Sequence, residues 1–235
     1  MAESTDTIHQ TQVLAALFSP AFPIGAFSYS HGIEVAIASG DVADASTAYD
    51  WIETILRGGS GRNDAILMAN AYKAVNLRAI KGVDLTDGRN AEIEVINELA
   101  FALSPGAERA QESRELGLNF TRIIKQVYEL DIGLSPPLAY SVAAGLAARH
   151  LGCELRLSLS FFLQSFISNL ISVALRAVPL GQSDGQIILA QLIPATAAIA
   201  DEAANTTLDD VGGYAILADH ASILHETLET RIYRT

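Results

Sequence analysis

Ser30, His31 and Glu34 stand together in a segment that also carries two prolines, two glycines and three aromatics, Ser19-Pro-Ala-Phe-Pro-Ile-Gly-Ala-Phe-Ser-Tyr-Ser-His-Gly-Ile-Glu34. A hydroxyl, an imidazole and a carboxylate are the parts of a nucleophilic triad. Adjacent Ser30 and His31 do not place a nucleophile in line with its base, however, and no strand-to-helix elbow presents the serine. His31 and Glu34 are three apart, so on a helix they share a face and could give two ligands to a divalent metal, although capping or hydrogen bonding is the commoner use of such a pair. A second group, His220, His225, Glu226 and Glu229, lies on an apolar-striped stretch in which His225 and Glu229 are four apart and able to pair. His220 and His225 are five apart, unlike the helical histidine pair of a zinc peptidase. There is no Gly-rich loop ending in Lys and no dinucleotide fingerprint. The residues by themselves offer no catalytic, metal or cofactor site.

The elements that position these groups are helices. Apolar residues recur at helical spacing (Val13, Leu14, Leu17, Phe18; Ile52, Ile55, Leu56), and strict alternation is scarce, which predicts an all-α class. Punctuation by Gly, Pro, Asp44 and Asn63 leaves room for about nine or ten helices, near residues 8–18, 29–39, 45–57, 64–79, 89–103, 107–130, 137–151, 155–178, 184–200 and 215–230. Asp44 and Asn63 read as N-caps, the Gly58-Gly-Ser-Gly61 stretch as a stop, and Ser104-Pro105 and Ser135-Pro-Pro137 as breaks. Val83 to Asn90 reads as a polar surface loop. The charged face from Glu108 to Glu129 reads as solvated. Pro20, Pro23 and Gly25 should hold the first segment in one shape, with Phe22, Phe27 and Tyr29 either buried or facing a partner. Pro179-Leu-Gly-Gln-Ser-Asp-Gly-Gln186 is a second rigid turn, in which Ser183 is placed to cap the next helix and Gln182, Asp184 and Gln186 can present hydrogen bonds.

Composition narrows the class further. The 235 residues read as one domain, half apolar and 18% charged, with ample material for a core. A net charge of −12 and a pI near 4.7 repel phosphate backbones, so nucleic acid is not an expected partner. The single cysteine, Cys153, and an N-terminus unlike a signal peptide suit a reducing cytoplasm. Leu157 to Leu175 carries no charge but many Ser, Gln and Asn side chains, which favours a bundle or interface helix over a membrane span. Phe161, Phe162, Phe166 and Ile167 on it are candidates for a homodimer interface. The first and last segments are expected to be mobile. The stripe of Ile216, Leu217, Ile223, Leu224 and Leu228 is expected to dock on the body while Thr230 to Thr235 waits for a partner.

Ser19–Glu34, the Pro179–Gln186 turn and the terminal His225-Glu-Thr-Leu-Glu-Thr-Arg-Ile-Tyr-Arg-Thr235, with Asp50-Trp51-Ile52, Arg114-Glu115 with Gly117, and Pro136 to Gly152, resemble the UreF family of urease accessory proteins. The resemblance spans nearly the whole chain. It implies an all-α, usually dimeric protein without catalysis or cofactor of its own. Such a protein bridges a UreD/UreH-type protein and the GTPase UreG, so that the assembly loads nickel into the urease apoprotein. It also implies a partner-binding set: Phe22, Phe27, Tyr29, His31, Glu34, Gln182, Asp184, Gln186, His225, Glu226, Arg231 and Tyr233. Phe27 stands where other members have tyrosine, and its ring is expected to pack on Arg231. A second reading makes the chain a GTPase activator acting in trans through Arg231, Arg234 or Gln182. A third, an independent nickel carrier, needs convergent ligands that scattered histidines do not supply.

Overall fold

Proline and glycine, more than charge, punctuate this chain. The computed structural model describes residues 2–75, 89–132 and 137–235, with the side chains at 2–5, 89 and 90 excepted. The helices are Ala2–Leu17 (α1), Ile33–Ser39 (α2), Ala45–Gly58 (α3), Ser60–Ala74 (α4), Arg89–Ala102 (α5), Ala107–Tyr128 (α6), Tyr140–His150 (α7), Leu155–Ala177 (α8), Gln182–Asn205 (α9) and Ile216–His225 (α10). Short 3-10 turns occupy Ala26–Ser28 and Leu208–Asp210. Among the described residues there is no strand, and the all-α class holds. Residues 83–88 of the loop read at Val83 to Asn90, and residues 135 and 136 of the Ser135-Pro-Pro137 break, lie outside the described residues.

Side chains start the helices where the sequence supplies them. Asp44 accepts from the Thr47 amide at 2.9 Å while the Thr47 hydroxyl accepts from the Asp44 amide at 3.0 Å, a reciprocal cap. Glu154 does the same service for α8, accepting from the amides of Arg156 and Leu157. Two expected caps are corrected. Ser183 lies inside α9, whose start is held by Asp184 reaching back to the Gly181 amide at 2.8 Å. Asn63 lies inside α4, because that helix begins directly after a break at Gly59, and its side chain accepts instead from the Gly212 amide.

The centre of the bundle is α4, α7 and α8. Helix α7 is nearly all small residues, with Ser141 to Ala148 buried, which lets neighbouring backbones approach closely. A Cβ on Gly145 would stand 2.3 Å from the Met68 carbonyl oxygen in α4, and one on Gly117 in α6 would stand 2.0 Å from the Leu138 carbonyl. Helix α8 buries Leu159, Leu163, Ile167, Leu170 and Ala174. By length and composition α8 and α9 could each cross a membrane, but they pack on each other and on α3 and α4 within the bundle. Rings file through the interior, Phe18 on Phe162, Phe162 on Tyr140, Tyr140 on Phe120 and Phe120 on Phe22, with centroids 5.4–5.8 Å apart.

This packing corrects the expected dimer face. Phe162 and Ile167 are buried inside the protomer, Phe166 lies edge-on against His31, and Phe161 is half-buried. The uncharged helix is apolar because it is the core. Gly145→Ala is expected to cost about 2–3 kcal/mol, since the methyl meets main chain rather than a side chain that can turn away; Asp44→Ala is expected to cost only about 1 kcal/mol. Paired chemical denaturation curves check both, and equal losses would contradict this account of α7.

Candidate functional site

A left-handed turn at His31 (φ 53°) and Gly32 (φ 77°) leads into α2 and sets Glu34 in its first turn. The turn needs glycine for a second reason, because a Cβ at position 32 would stand 2.7 Å from the Ser222 amide nitrogen of α10. From there the Glu34 carboxylate accepts from the amides of Ile232 at 2.6 Å and Tyr233 at 3.0 Å. The same carboxylate faces Nε2 of the fully buried His225 at 3.0 Å, and His225 Nδ1 faces Glu108 at 2.8 Å. The imidazole thus stands between two carboxylates from different helices. Glu108 also receives the Arg231 guanidinium. Glu226 turns the other way and accepts from the Ala107 amide at 2.6 Å and the Glu108 amide at 3.3 Å. It thereby fills the place at the start of α6 that Gly106, having no side chain, leaves open.

The last residues continue along the Ser28–Ser30 backbone. The Arg234 amide donates to the Ser28 carbonyl at 2.8 Å, and the Ser30 amide donates to the main-chain oxygen of Thr235 at 2.7 Å, joined there by the Ser30 hydroxyl. The Arg234 guanidinium grips both oxygens of Glu115, at 2.7 and 3.1 Å, and lies over the Tyr29 ring, whose hydroxyl donates to Glu115 at 2.8 Å. Thr235 donates through its hydroxyl to Glu112 at 3.0 Å.

Four expectations change here. Thr230 to Thr235, expected to wait for a partner, is seated on the body, because α6 offers a row of carboxylates and α2 one more. The stripe on α10 is largely reversed: Ile216, Leu217, Ile223 and Leu224 face solvent and Leu228, beyond the helix, is half-buried, while Ala218, Ala221 and Ser222 are buried because only small residues fit against Gly32, and His225 is buried between Glu34 and Glu108. Arg231 meets Glu108 rather than Phe27, which is 63% exposed, and the tail arginine that lies over an aromatic ring is Arg234, on Tyr29. His225 pairs across the fold with Glu34 and Glu108 instead of along its helix with Glu229.

Below the seat lies a buried polar cluster. Glu112 faces His31 at 3.0 Å and pairs with Arg109, and all three are buried. Burial works to raise the Glu112 carboxyl, but Arg109 and His31 outweigh it and hold the group down at about 2. Burial and Arg109 together push the His31 imidazole below its ordinary range. His31 Nε2 stands 3.0 Å from both a Glu112 carboxylate oxygen and the Arg109 guanidinium, and Nδ1 faces the Ser60 hydroxyl at 3.4 Å. Asp64 is raised to about 6, chiefly by burial, with the charge of Arg109 pulling the other way. A cavity of about 60 Å³ touches His31, Asp64, Arg109 and Glu112, and a second of about 150 Å³ shares Asp64 and Arg109 with it. Among the described residues, no group of three or more His, Cys, Asp or Glu side chains is arranged to hold a metal ion.

The structure thus joins Tyr29, His31, Glu34, His225, Glu226, Arg231 and Tyr233 around one seat. Phe22 packs inward on Phe120 instead. Gln182, Asp184 and Gln186 lie at the start of α9, apart from the tail, with Asp184 engaged in its own cap. Sequence reasoning gave Glu108, Glu112 and Glu115 to a solvated face, although their spacing of four and three sets three carboxylates together on α6 where the tail lies, and it passed over Asp64. Among curated proteins, the urease accessory protein UreF of Ruegeria pomeroyi is 41% identical over 232 residues, covering 99% of this chain and all of that one. A family model described as UreF matches residues 42–193. The chain belongs to the UreF family. Proteins of the same name from Cereibacter sphaeroides and Rhodopseudomonas palustris are each 42% identical, over 94% of this chain and 97% and 92% of their own. The family model begins beyond the Ser19–Glu34 segment and ends before the tail, whereas these relatives align across nearly the whole chain.

Glu34→Ala removes the acceptor shared by the Ile232 and Tyr233 amides and is expected to raise their hydrogen-exchange rates at least tenfold while amides in α4 and α7 stay protected; unchanged tail rates would contradict the seat. Asp64 gives a pH signature. Its folded carboxyl titrates above the unfolded one, so the folded state binds the extra proton between pH ~4 and ~6 and stability falls as pH rises through that window. Asp64→Asn lacks this term, so its stability relative to the parent chain should rise by roughly 1–2 kcal/mol from pH 4 to pH 7. Denaturation at four pH values checks the sign, and a flat or falling difference would refute it.

Proposed function

We propose that this chain is a non-catalytic scaffold of urease maturation. It recruits a UreD/UreH-type protein and the GTPase UreG so that the assembly can deliver nickel to the urease apoprotein. The observation that carries this reading is the inverted amphipathicity of α10. Ile216 is 72% exposed, Leu217 74% and, on the seated tail, Ile232 76%, while the buried side of the helix is made of Ala218, Ala221, Ser222 and His225. A helix that spends its small residues on the body and turns its large apolar ones to water presents a surface for another protein. The carboxylate seat beneath holds helix and tail in one preformed shape, which lowers the ordering cost of recruitment.

The scaffold reading is favoured over the activator reading by the state of the two tail arginines. Arg231 is paired with Glu108 and Arg234 grips Glu115 through two contacts, so neither is free to reach into another protein's nucleotide site without leaving its carboxylate. In this reading the chain acts in the cytoplasm, holds no cofactor, and treats nickel as cargo of the wider assembly. It works as a homodimer, for which Ile187 and Ile193 on the outer face of α9 are exposed apolar side chains left available by the burial of Phe162 and Ile167.

The double variant Ile216→Asp, Leu217→Asp is expected to keep its helical circular dichroism and to unfold within about 0.5 kcal/mol of the parent, because both side chains are exposed. It should lose co-purification with the UreD/UreH-type partner and with UreG. Arg231→Ala should keep the fold and weaken recruitment of UreG less completely. Wild-type recruitment by the double variant would remove α10 from the interface and with it the basis of this proposal.

A further inference from the structure

Beneath the loop from Ser19 to Phe27 lies a cavity of about 520 Å³, a size at which proteins enclose small organic molecules. One wall is apolar, formed by Phe18, Phe22, Phe27 and the loop prolines. The other is a single face of α8, where Ser165, Ser168, Asn169 and Ser172 follow one another at helical spacing and Arg176 stands one turn further on. These are among the polar residues that interrupt the uncharged run Leu157–Leu175, and recruitment through α10 makes no use of them. Among the described residues, the hydroxyls of Ser165 and Ser168 make no hydrogen bond within the protein.

Arg176 is the cation of this cavity. Among the described residues it makes two long hydrogen bonds, to the Phe27 carbonyl at 3.4 Å and to the Ser172 hydroxyl at 3.2 Å. No carboxylate of the described residues pairs with it, although in this acidic chain Arg57, Arg62, Arg109, Arg156, Arg231 and Arg234 each hold one. The walls are set in advance. The Phe22 amide donates to the Ser19 carbonyl at 2.9 Å, Asn119 donates to the Ile24 carbonyl at 3.1 Å, and Asn169 donates to the Tyr29 carbonyl at 3.3 Å.

We propose that this cavity binds a small organic carboxylate, with its apolar body among Phe18, Phe22 and Phe27 and its carboxylate on Arg176, assisted by the Ser168 and Ser172 hydroxyls. A guanidinium fork with free donors matches a planar carboxylate. One cation in a chain of net charge −12 does not compensate a dianion, which argues against a phosphate ester. The site is independent of the α10 surface, so its test does not bear on recruitment.

The full chain, labelled with 15N, is titrated with 3-phenylpropionate and with the neutral 3-phenylpropionamide up to about 10 mM, a range that captures millimolar affinity. Saturable shifts are expected at amides of Ser19–Phe27 and Ser165–Arg176, with the acid bound about tenfold or more tightly than the amide. Arg176→Gln should erase that preference, and Ser168→Phe, which fills the cavity, should abolish binding of both while amides of α4 and α7 keep their positions. Absence of saturable shifts in the parent chain, equal affinity for acid and amide, or a preference that survives Arg176→Gln would each overturn the assignment. Tighter binding of the peptide acetyl-Phe-Glu-Leu-amide than of the free acid would overturn the small-molecule class.

Discussion

Everything at the functional end of this protein rests on carboxylates placed where they have more than one obligation. Glu34 holds two tail amides and one side of His225, and Glu108 holds the other side of His225 together with Arg231. The histidine is fully buried, so breaking either contact would leave a polar group in the interior without a partner, which costs far more than the net gain of forming an average hydrogen bond. Because α2, α6, α10 and the tail all meet at these groups, they are fixed relative to one another by chemistry rather than by apolar area. That suits a helix whose apolar side chains are directed away from the body.

The bundle and its site were legible to different degrees. Helix positions followed from periodicity and from Gly and Pro, which act locally: Asp44 capped as its neighbours suggested, and α8 spans Leu155–Ala177 where residues 155–178 were expected. The orientation of α10 was not legible, because Ile216, Leu217, Ile223 and Leu224 have the spacing of a docking stripe. What reversed them is Gly32, almost two hundred residues away, whose close approach admits only Ala218, Ala221 and Ser222. Phe162 and Ile167 read as interface candidates for a related reason. An uncharged helix reads alike whether its apolar face meets its own core or a second chain, and here the core claims Phe162 and Ile167.

Charged residues misled in the opposite direction. Glu108, Arg109, Glu112 and Glu115 on α6 have the composition of a solvated face, and composition alone does not reveal that a tail will lie across it. Arg109 and Glu112 are buried and Glu108 and Glu115 partly covered because of what they meet: Arg109 and His31 balance Glu112, Arg234 balances Glu115, and Thr235 adds a hydroxyl to Glu112. The cluster also gives the neighbours Ser30 and His31 separate tasks. Ser30 serves the tail through its main chain and hydroxyl, and His31 serves Glu112 from the left-handed turn that aims Glu34.

The pairing of Ser30 with Thr235 joins residues 205 positions apart. A contact of that span closes a loop of most of the chain, and such a closure costs chain entropy before it returns anything. The helical hairpins among α3 to α9 can form from near neighbours while the polypeptide is still being made, but the seat under α2 has nothing to hold until residues 232–235 have emerged. The seat that joins α2, α6, α10 and the tail is therefore completed last.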